Sequence, residues 1–67
     1  MSKQITLKAA RVNAGLTQEE AANMLGISAS TLIKWEKEPH KVQAYRQVEI
    51  ASLYKLSVDD ISFLLKS

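Results

Sequence analysis

The sequence predicts an all-α fold of five short helices packed around one small core. Apolar residues recur three and four positions apart along most of the chain, a spacing that places them on one face of an α-helix. Residues that favour helix starts stand at Thr17, Ser28 and Ser57, and Gly15 and Gly26 each follow a helical segment. The chain has no cysteine, so packing and not disulfide bonds must hold the fold together.

Length and composition predict a single domain over residues 1–67. A chain of 67 residues is short for two domains, and its 46% hydrophobic content argues against disorder. No apolar run approaches the roughly 20 residues that a membrane-spanning helix needs, and the first residues lack an apolar signal segment. We therefore expect a cytoplasmic protein that does not contact a membrane.

The first helix is predicted over about residues 6–14. Leu7, Ala10 and Ala14 share one face, and Gly15 is a natural stop. Its start is left open between Ser2 and Thr6, since both residue types cap helices.

The second and third helices form one unit over about residues 17–36. Thr17 and Glu20 have the spacing of a capping box for a helix over Gln18–Leu25, and Gly26 marks a tight turn. Ser28 then caps a helix over Ala29–Lys37. The pattern indicates a helix-turn-helix, a motif whose second helix can enter the major groove of DNA.

Two further helices are predicted after Pro39, which disfavours helix in the residue before it. The fourth covers about residues 44–54, with its inward face formed by Val48, Ala51 and Tyr54 and with Ile50 flanking it. The fifth begins after Ser57, which has an acidic residue three positions later as in a capping box. Its core-facing residues are predicted to be Val58, Ile61, Leu64 and Leu65.

Catalytic and metal-binding patterns are missing from the sequence. The single histidine, His40, stands beside a proline in a predicted loop, and nothing places it near a nucleophile. The adjacent Asp59 and Asp60 are explained by the favourable position of acids at a helix N-terminus. No glycine-rich phosphate loop or zinc-ligand spacing occurs. We expect no enzyme activity, no metal and no cofactor.

Charge is unevenly distributed along the chain, although the formal net charge is only +2. Residues 28–46 contain four basic and two acidic residues, whereas residues 47–67 contain two basic and three acidic ones. A basic middle segment fits a nucleic-acid surface, but an ordinary solvated face fits the charges equally well.

The spacing of several residues resembles that of the Cro/CI-type helix-turn-helix family, also called the Xre family. The resemblance runs from about residue 7 to residue 65 and implies a compact five-helix, lambda-repressor-like DNA-binding domain. Members are transcriptional regulators, often phage repressors, Cro-like proteins or antitoxins, and they usually bind as dimers. The matching positions are Arg11, Gln18, Ala22, Gly26, Leu32, Trp35, Glu36 and the segment from Ser57 to Ile61.

The resemblance also implies a structural ion pair between Arg11 and Glu36 across the first and third helices. A guanidinium can hold a carboxylate through two hydrogen bonds. The alternative is two surface charges that never meet.

Two sets of DNA-contacting positions follow from the resemblance. The base-reading set, on the outward face of the third helix, is Ala29, Ser30, Ile33 and Lys34. The phosphate-contacting set is Thr17, Gln18, Ser28, Thr31, Lys37 and Lys41. Capping competes with phosphate contact at Ser28 and Thr31, and Ile33 is alternatively an ordinary exposed side chain. Because many relatives carry Gln, Arg or Asn where this chain has Ala29 and Ser30, we expect modest direct readout of bases.

Two other positions depart from the commonest family pattern. Glu38 stands near a place usually held by glycine, and its negative charge is unfavourable beside phosphate. Lys55 stands where many relatives end the fourth helix with glycine, so we expect a strained or looser helix end there.

The function predicted from the sequence is sequence-specific binding of double-stranded DNA by a transcriptional regulator, of the phage or Cro/CI repressor type. We expect a homodimer, at least on DNA, and no small-molecule effector. Phe63 lies off the predicted core stripe, so it is either a dimer contact or a lone aromatic at the domain edge. The rival hypothesis is a protein-binding module on the same scaffold, such as an antitoxin or anti-repressor, which the low net charge favours.

Overall fold

A computed structural model of the protein describes residues 3–64. Within these residues the chain forms four α-helices and two single turns of 3-10 helix, which confirms the predicted all-α class. The helices are α1 (Leu7–Asn13), α2 (Gln18–Leu25), α3 (Ala29–Lys37) and α4 (Ala44–Leu53), and the 3-10 turns cover Pro39–Lys41 and Val58–Asp60.

Side-chain caps fix where the first three helices begin. The Thr6 hydroxyl accepts a hydrogen bond from the Ala9 amide at 3.0 Å, which settles the start of α1 in favour of Thr6. At α2, Thr17 Oγ1 accepts from the Glu20 amide at 3.1 Å and Glu20 Oε1 accepts from the Thr17 amide at 2.9 Å. This reciprocal capping box satisfies backbone donors that a helix start otherwise leaves without partners.

Gly26 makes the tight turn between α2 and α3 possible. Its backbone φ of +71° lies in the left-handed region, where a side chain is disfavoured. The Ile27 amide then donates to the Ala22 carbonyl at 3.0 Å, which closes the end of α2. Because the turn is so short, α3 starts only three residues after Gly26 and lies against α2.

The core lies between the helices and is assembled from side chains of every α-helix. Small residues on α2, Ala21 and Ala22, are fully buried where α2 and α3 approach each other. On α4, Ile50 is fully buried whereas Val48 is exposed, so the predicted inward position of Val48 is wrong. The buried apolar residues are Leu7, Ala10, Ala21, Ala22, Leu32, Val42, Ile50, Ala51, Tyr54, Ile61 and Phe63.

The predicted fifth helix is wrong within the described residues. Asp60 Oδ2 does accept from the Ser57 amide at 3.0 Å, but the helix that follows is one 3-10 turn. After it, Ile61 forms a parallel bridge with Ile5: the Ile5 amide donates to the Asp60 carbonyl at 3.0 Å and the Ser62 amide donates to the Ile5 carbonyl at 2.9 Å. Pairing with the N-terminal segment thus replaces the hydrogen bonds that would continue a helix.

This extended segment also reverses the predicted roles of its side chains. Phe63 is only 2% exposed and belongs to the core, so its predicted place at the domain edge is wrong, and a buried ring cannot serve as a dimer contact. Leu64, predicted to face the core, is 84% exposed. Leu65 lies outside the described residues. Ile61 and Phe63, two residues apart, are both buried, whereas Leu64, the next residue, is exposed. This two-residue spacing is that of an extended chain and not of a helical face.

α4 ends in a turn that places Lys55 in the left-handed region, with φ of +60°. The Lys55 amide donates to the Ser52 carbonyl at 3.1 Å, and the Leu56 amide donates to the Ala51 carbonyl at 2.8 Å. Both hydrogen bonds satisfy backbone carbonyl groups that the end of a helix otherwise leaves without partners. The end is closed, and Lys55 carries the backbone strain that glycine would avoid.

Candidate nucleic-acid interface

The helix α3 has one face buried against the core and one face exposed to solvent. Leu32 is fully buried against the core, whereas Ser30, Ile33 and Lys34 are exposed. Ala29, predicted to belong to the outward set, is half-buried and packs partly against the core. The outward face available to a large ligand is therefore made chiefly by Ser30, Ile33 and Lys34.

Three hydroxyl groups cluster at the start of α3. Ser28 Oγ accepts from the Thr31 amide at 3.2 Å and shares hydrogen bonds with Ser30 Oγ at 3.1 Å and Thr31 Oγ1 at 2.9 Å. The capping role of Ser28 is therefore present in the structure. The hydroxyl groups of Ser30 and Thr31 already share hydrogen bonds with Ser28. Each can therefore contact a ligand only through the hydrogen or lone pair that this bond does not use.

Gln18 stands at the first position of α2, where helix amides point outward. Its side-chain nitrogen Nε2 donates to Glu36 Oε1 at 3.1 Å, and the residue is half-buried. A carboxamide nitrogen carries two hydrogens, so one N–H remains for a second acceptor beside the backbone amides of α2. Gln18 thus links the start of α2 to α3 while staying close to the predicted phosphate-binding position.

Arg11 and Glu36 form the ion pair that fixes α3 against α1. Arg11 Nε donates to Glu36 Oε2 at 2.7 Å, and the two side chains are only 8% and 6% exposed. Arg11 Nη1 also donates to the Leu16 carbonyl at 2.8 Å. Because the same carboxylate accepts from Gln18, one buried network joins α1, the start of α2 and the last turn of α3.

Arg46 has a structural role that was not predicted from the sequence. Its Nη1 donates to the Leu25 carbonyl at 3.0 Å and to Glu49 Oε1 at 3.1 Å. Its guanidinium carbon lies 6.0 Å from the ring centre of Trp35 and 5.5 Å from that of Tyr45. The contacts with Leu25 and Trp35 join α4 to α2 and α3, and no local spacing in the sequence signals them, since these partners are 21 and 11 residues away.

The lysines near the C-terminal end of α3 differ in their surroundings. Lys34 is exposed and forms no ion pair with any residue that the structure describes. Lys37, at the end of the helix, is exposed as well. Lys41 Nζ lies 3.2 Å from Glu38 Oε1, and both side chains face solvent. Such an exposed pair contributes little free energy, so Lys41 can exchange Glu38 for another anion at small cost.

Neither a cluster of metal ligands nor a membrane-spanning helix is found in the part of the chain that the structure describes. Over residues 3–64, no three His, Asp or Glu side chains converge as metal ligands would. In the same residues, no helix has both the length and the apolar character needed to cross a membrane.

Comparison with known proteins agrees with this arrangement. A family model described as helix-turn-helix matches residues 7–61, which include all four α-helices and both 3-10 turns. No curated protein and no solved structure matches the chain. Because the family model covers most of the sequence, the chain belongs to the Xre/Cro-CI-type helix-turn-helix family.

Proposed function

We propose that the protein is a sequence-specific regulator of transcription, a repressor that binds double-stranded DNA in the cytoplasm. The family consists of DNA-binding regulatory domains and is not an enzyme family. The observation that carries the proposal is the outward face of α3, where Ser30, Ile33 and Lys34 are exposed while Leu32 anchors the helix in the core. In a helix-turn-helix, that face enters the major groove and contacts base edges.

Phosphate contacts surround this helix in the proposal. The start of α2 offers backbone amides and the second N–H of Gln18, which suit a phosphate oxygen. At the other end of α3, Lys37 and Lys41 supply positive charge. Thr17, Ser28 and Thr31 act first as caps and helix-start residues, with phosphate contact as a second role.

The size of α3 supports binding as a homodimer on DNA. A helix of nine residues is about 13 Å long at 1.5 Å per residue, and it covers about four base pairs at 3.4 Å per step. Four base pairs recur far too often in a genome to define one operator. Two copies on half-sites about one helical turn apart would double the length of sequence that is read.

Salt dependence of duplex binding tests the proposal. We would measure the affinity for a mixed-sequence duplex by fluorescence anisotropy over a range of salt concentrations. Lys37→Ala should reduce the slope of log affinity against log salt by about one unit, since Lys37 is one of the proposed phosphate contacts. The matched control is Lys8→Ala, which removes the same charge from α1, outside the helix-turn-helix unit, and should leave the slope unchanged. Salt-independent or undetectable binding of the parent chain would contradict the proposal.

A second candidate function is a protein-binding module on the same scaffold, and one surface favours it. An open groove between α2 and α4 is lined by the apolar residues Met24, Leu25, Val48 and Leu53 together with Glu49 and Ser52, and Met24 and Val48 are largely exposed. Exposed apolar patches of this kind often mark protein contacts. Failure to bind any duplex in the salt titration would favour this second function over the first.

A further inference from the structure

We propose that α3 distinguishes bases mainly through the methyl group of thymine, with Ile33 as the side chain that contacts it. This inference rests on the proposed function, since it concerns the same helix in the same groove. Ile33 is 36% exposed on the outward face of α3, on the side away from buried Leu32. It lines a shallow groove together with Ser30, Lys34, Lys37 and Glu38.

Most of the side chains that usually read bases by paired hydrogen bonds are missing from this helix. Bidentate contacts to purines come from Arg, Lys, Asn and Gln, and α3 has the sequence ASTLIKWEK, without Arg, Asn or Gln. Lys34, directly after Ile33, is the one residue of these types on the outward face near the bases, and Lys37 lies at the end of the helix, farther from them. Ile33 is therefore the largest side chain of the outward face that precedes the lysines.

The hydroxyls at the start of the helix are weak competitors for this role. Ser30 Oγ and Thr31 Oγ1 both share hydrogen bonds with Ser28 Oγ, at 3.1 and 2.9 Å. A hydroxyl can also donate or accept, so it accepts several base edges with similar ease. Discrimination by these residues is consequently small, and the apolar contact at Ile33 has the greater influence.

The charge around Ile33 fits an edge of DNA better than an apolar partner. Lys34 and Lys37 line the same groove as Ile33, and the Glu38 carboxylate there is paired with Lys41. The cations beside the apolar contact complement a base edge that lies between two phosphate backbones. In the major groove, thymine offers a C5-methyl group, and cytosine has hydrogen at that position. 5-Methylcytosine carries the same methyl group as thymine, so the proposal extends to methylated cytosine at the same position.

The experiment uses duplexes with and without these methyl groups. The parent chain first selects its preferred duplex from a random library, and thymines within the selected motif are then replaced by deoxyuridine. Loss of one buried methyl corresponds to about fourfold weaker binding per contact. Deoxyuridine at thymines outside the motif is the control for changes in DNA shape and should have no effect.

Variants of Ile33 show whether this side chain is responsible. Ile33→Ala should bind the thymine and deoxyuridine duplexes equally, while Ile33→Val should retain most of the difference. Ile33 is 36% exposed, so Ile33→Ala loses some packing, and thermal melts should show that both variants remain folded at the temperature of the binding assay. Equal affinity of the parent chain for the thymine and deoxyuridine forms of an enriched motif would overturn this inference and leave the proposed function intact. Absence of any duplex binding would overturn the proposed function itself.

Discussion

Arg11 Nε donates to Glu36 Oε2 at 2.7 Å, and both side chains are almost fully buried from solvent. This contact joins α1 to the last turn of α3. Each partner has a second bond: Arg11 donates to the Leu16 carbonyl, and Glu36 accepts from Gln18. The pair therefore fixes the direction of the helix that we propose enters DNA. The intact pair adds little net stability, but removal of one partner leaves the other as an unpaired buried charge, which is costly.

Arg11→Ala is expected to destabilise the fold by about 3–5 kcal/mol, because the Glu36 carboxylate would stay buried without its cation. The measurement is a thermal or urea melt. The double variant Arg11→Ala with Glu36→Ala should recover part of the loss, since both charges are then removed. A single variant that melts like the parent would refute a buried, energetically coupled pair.

Lys55→Gly is expected to stabilise the protein by roughly 1 kcal/mol. Lys55 has φ of +60°, a conformation that costs an L-residue about 1–2 kcal/mol, partly offset by the greater flexibility of unfolded glycine. Lys55→Ala is the matched control, because it removes the charge but keeps the β-carbon. If the melting temperature rises equally in both variants, the charge and not the backbone strain is responsible.

Phe63→Ala is expected to cost about 3–5 kcal/mol, as for other large core aromatics. The ring is 2% exposed, whereas the adjacent Leu64 is 84% exposed. Leu64→Ala should accordingly change the free energy of unfolding by no more than about 0.5 kcal/mol. Comparable losses in the two variants, measured by urea denaturation, would contradict the extended course of this segment.

The stability of the protein should depend on Tyr54 at alkaline pH. Burial, followed by the negative charge of Glu36, raises the pKa of Tyr54 from 10.0 to about 12. Between these pH values the folded chain keeps the phenol proton while the unfolded chain releases it, so stability falls as pH rises, by roughly 2–3 kcal/mol in total.

Tyr54→Phe isolates that effect. Among the described residues the Tyr54 hydroxyl has no hydrogen-bond partner, so the variant should be about as stable as the parent near neutral pH. Urea melts between pH 10 and 12 should then show a smaller loss for Tyr54→Phe than for the parent. Parallel losses would show that other groups account for the alkaline sensitivity.

The helix-turn-helix unit is predictable from sequence because its signals are local. Thr17 caps α2 three residues from its partner Glu20, and Ser28 caps α3 three residues from Thr31. Gly26 occupies the left-handed position between them. Each of these features depends on neighbours within one helical turn, and the sequence displays such neighbours directly.

The C-terminal segment is not predictable in the same way. Its apolar spacing fits a helix, but the backbone of Ile61 pairs with Ile5, at the other end of the chain. Hydrogen bonds between residues this far apart override a local helical preference. The same reason hides Arg46, whose partners Leu25 and Trp35 lie on other helices. Within the candidate interface, the half-buried position of Ala29 likewise depends on packing with the core.

The most direct test of α3 as the DNA-reading element is selection from a random duplex library, performed in parallel with the parent chain and Lys34→Ala. Lys34 is an exposed lysine on the outward face of α3, so its loss should alter recognition and leave the fold unchanged. We predict that the parent enriches a motif of two symmetry-related half-sites about one helical turn apart, and that Lys34→Ala enriches it weakly or with relaxed sequence. The assignment would be contradicted if the parent chain enriched no motif, or if both proteins enriched the same motif equally strongly. In either case the outward face of α3 that contains Lys34 would not be the surface that recognises DNA.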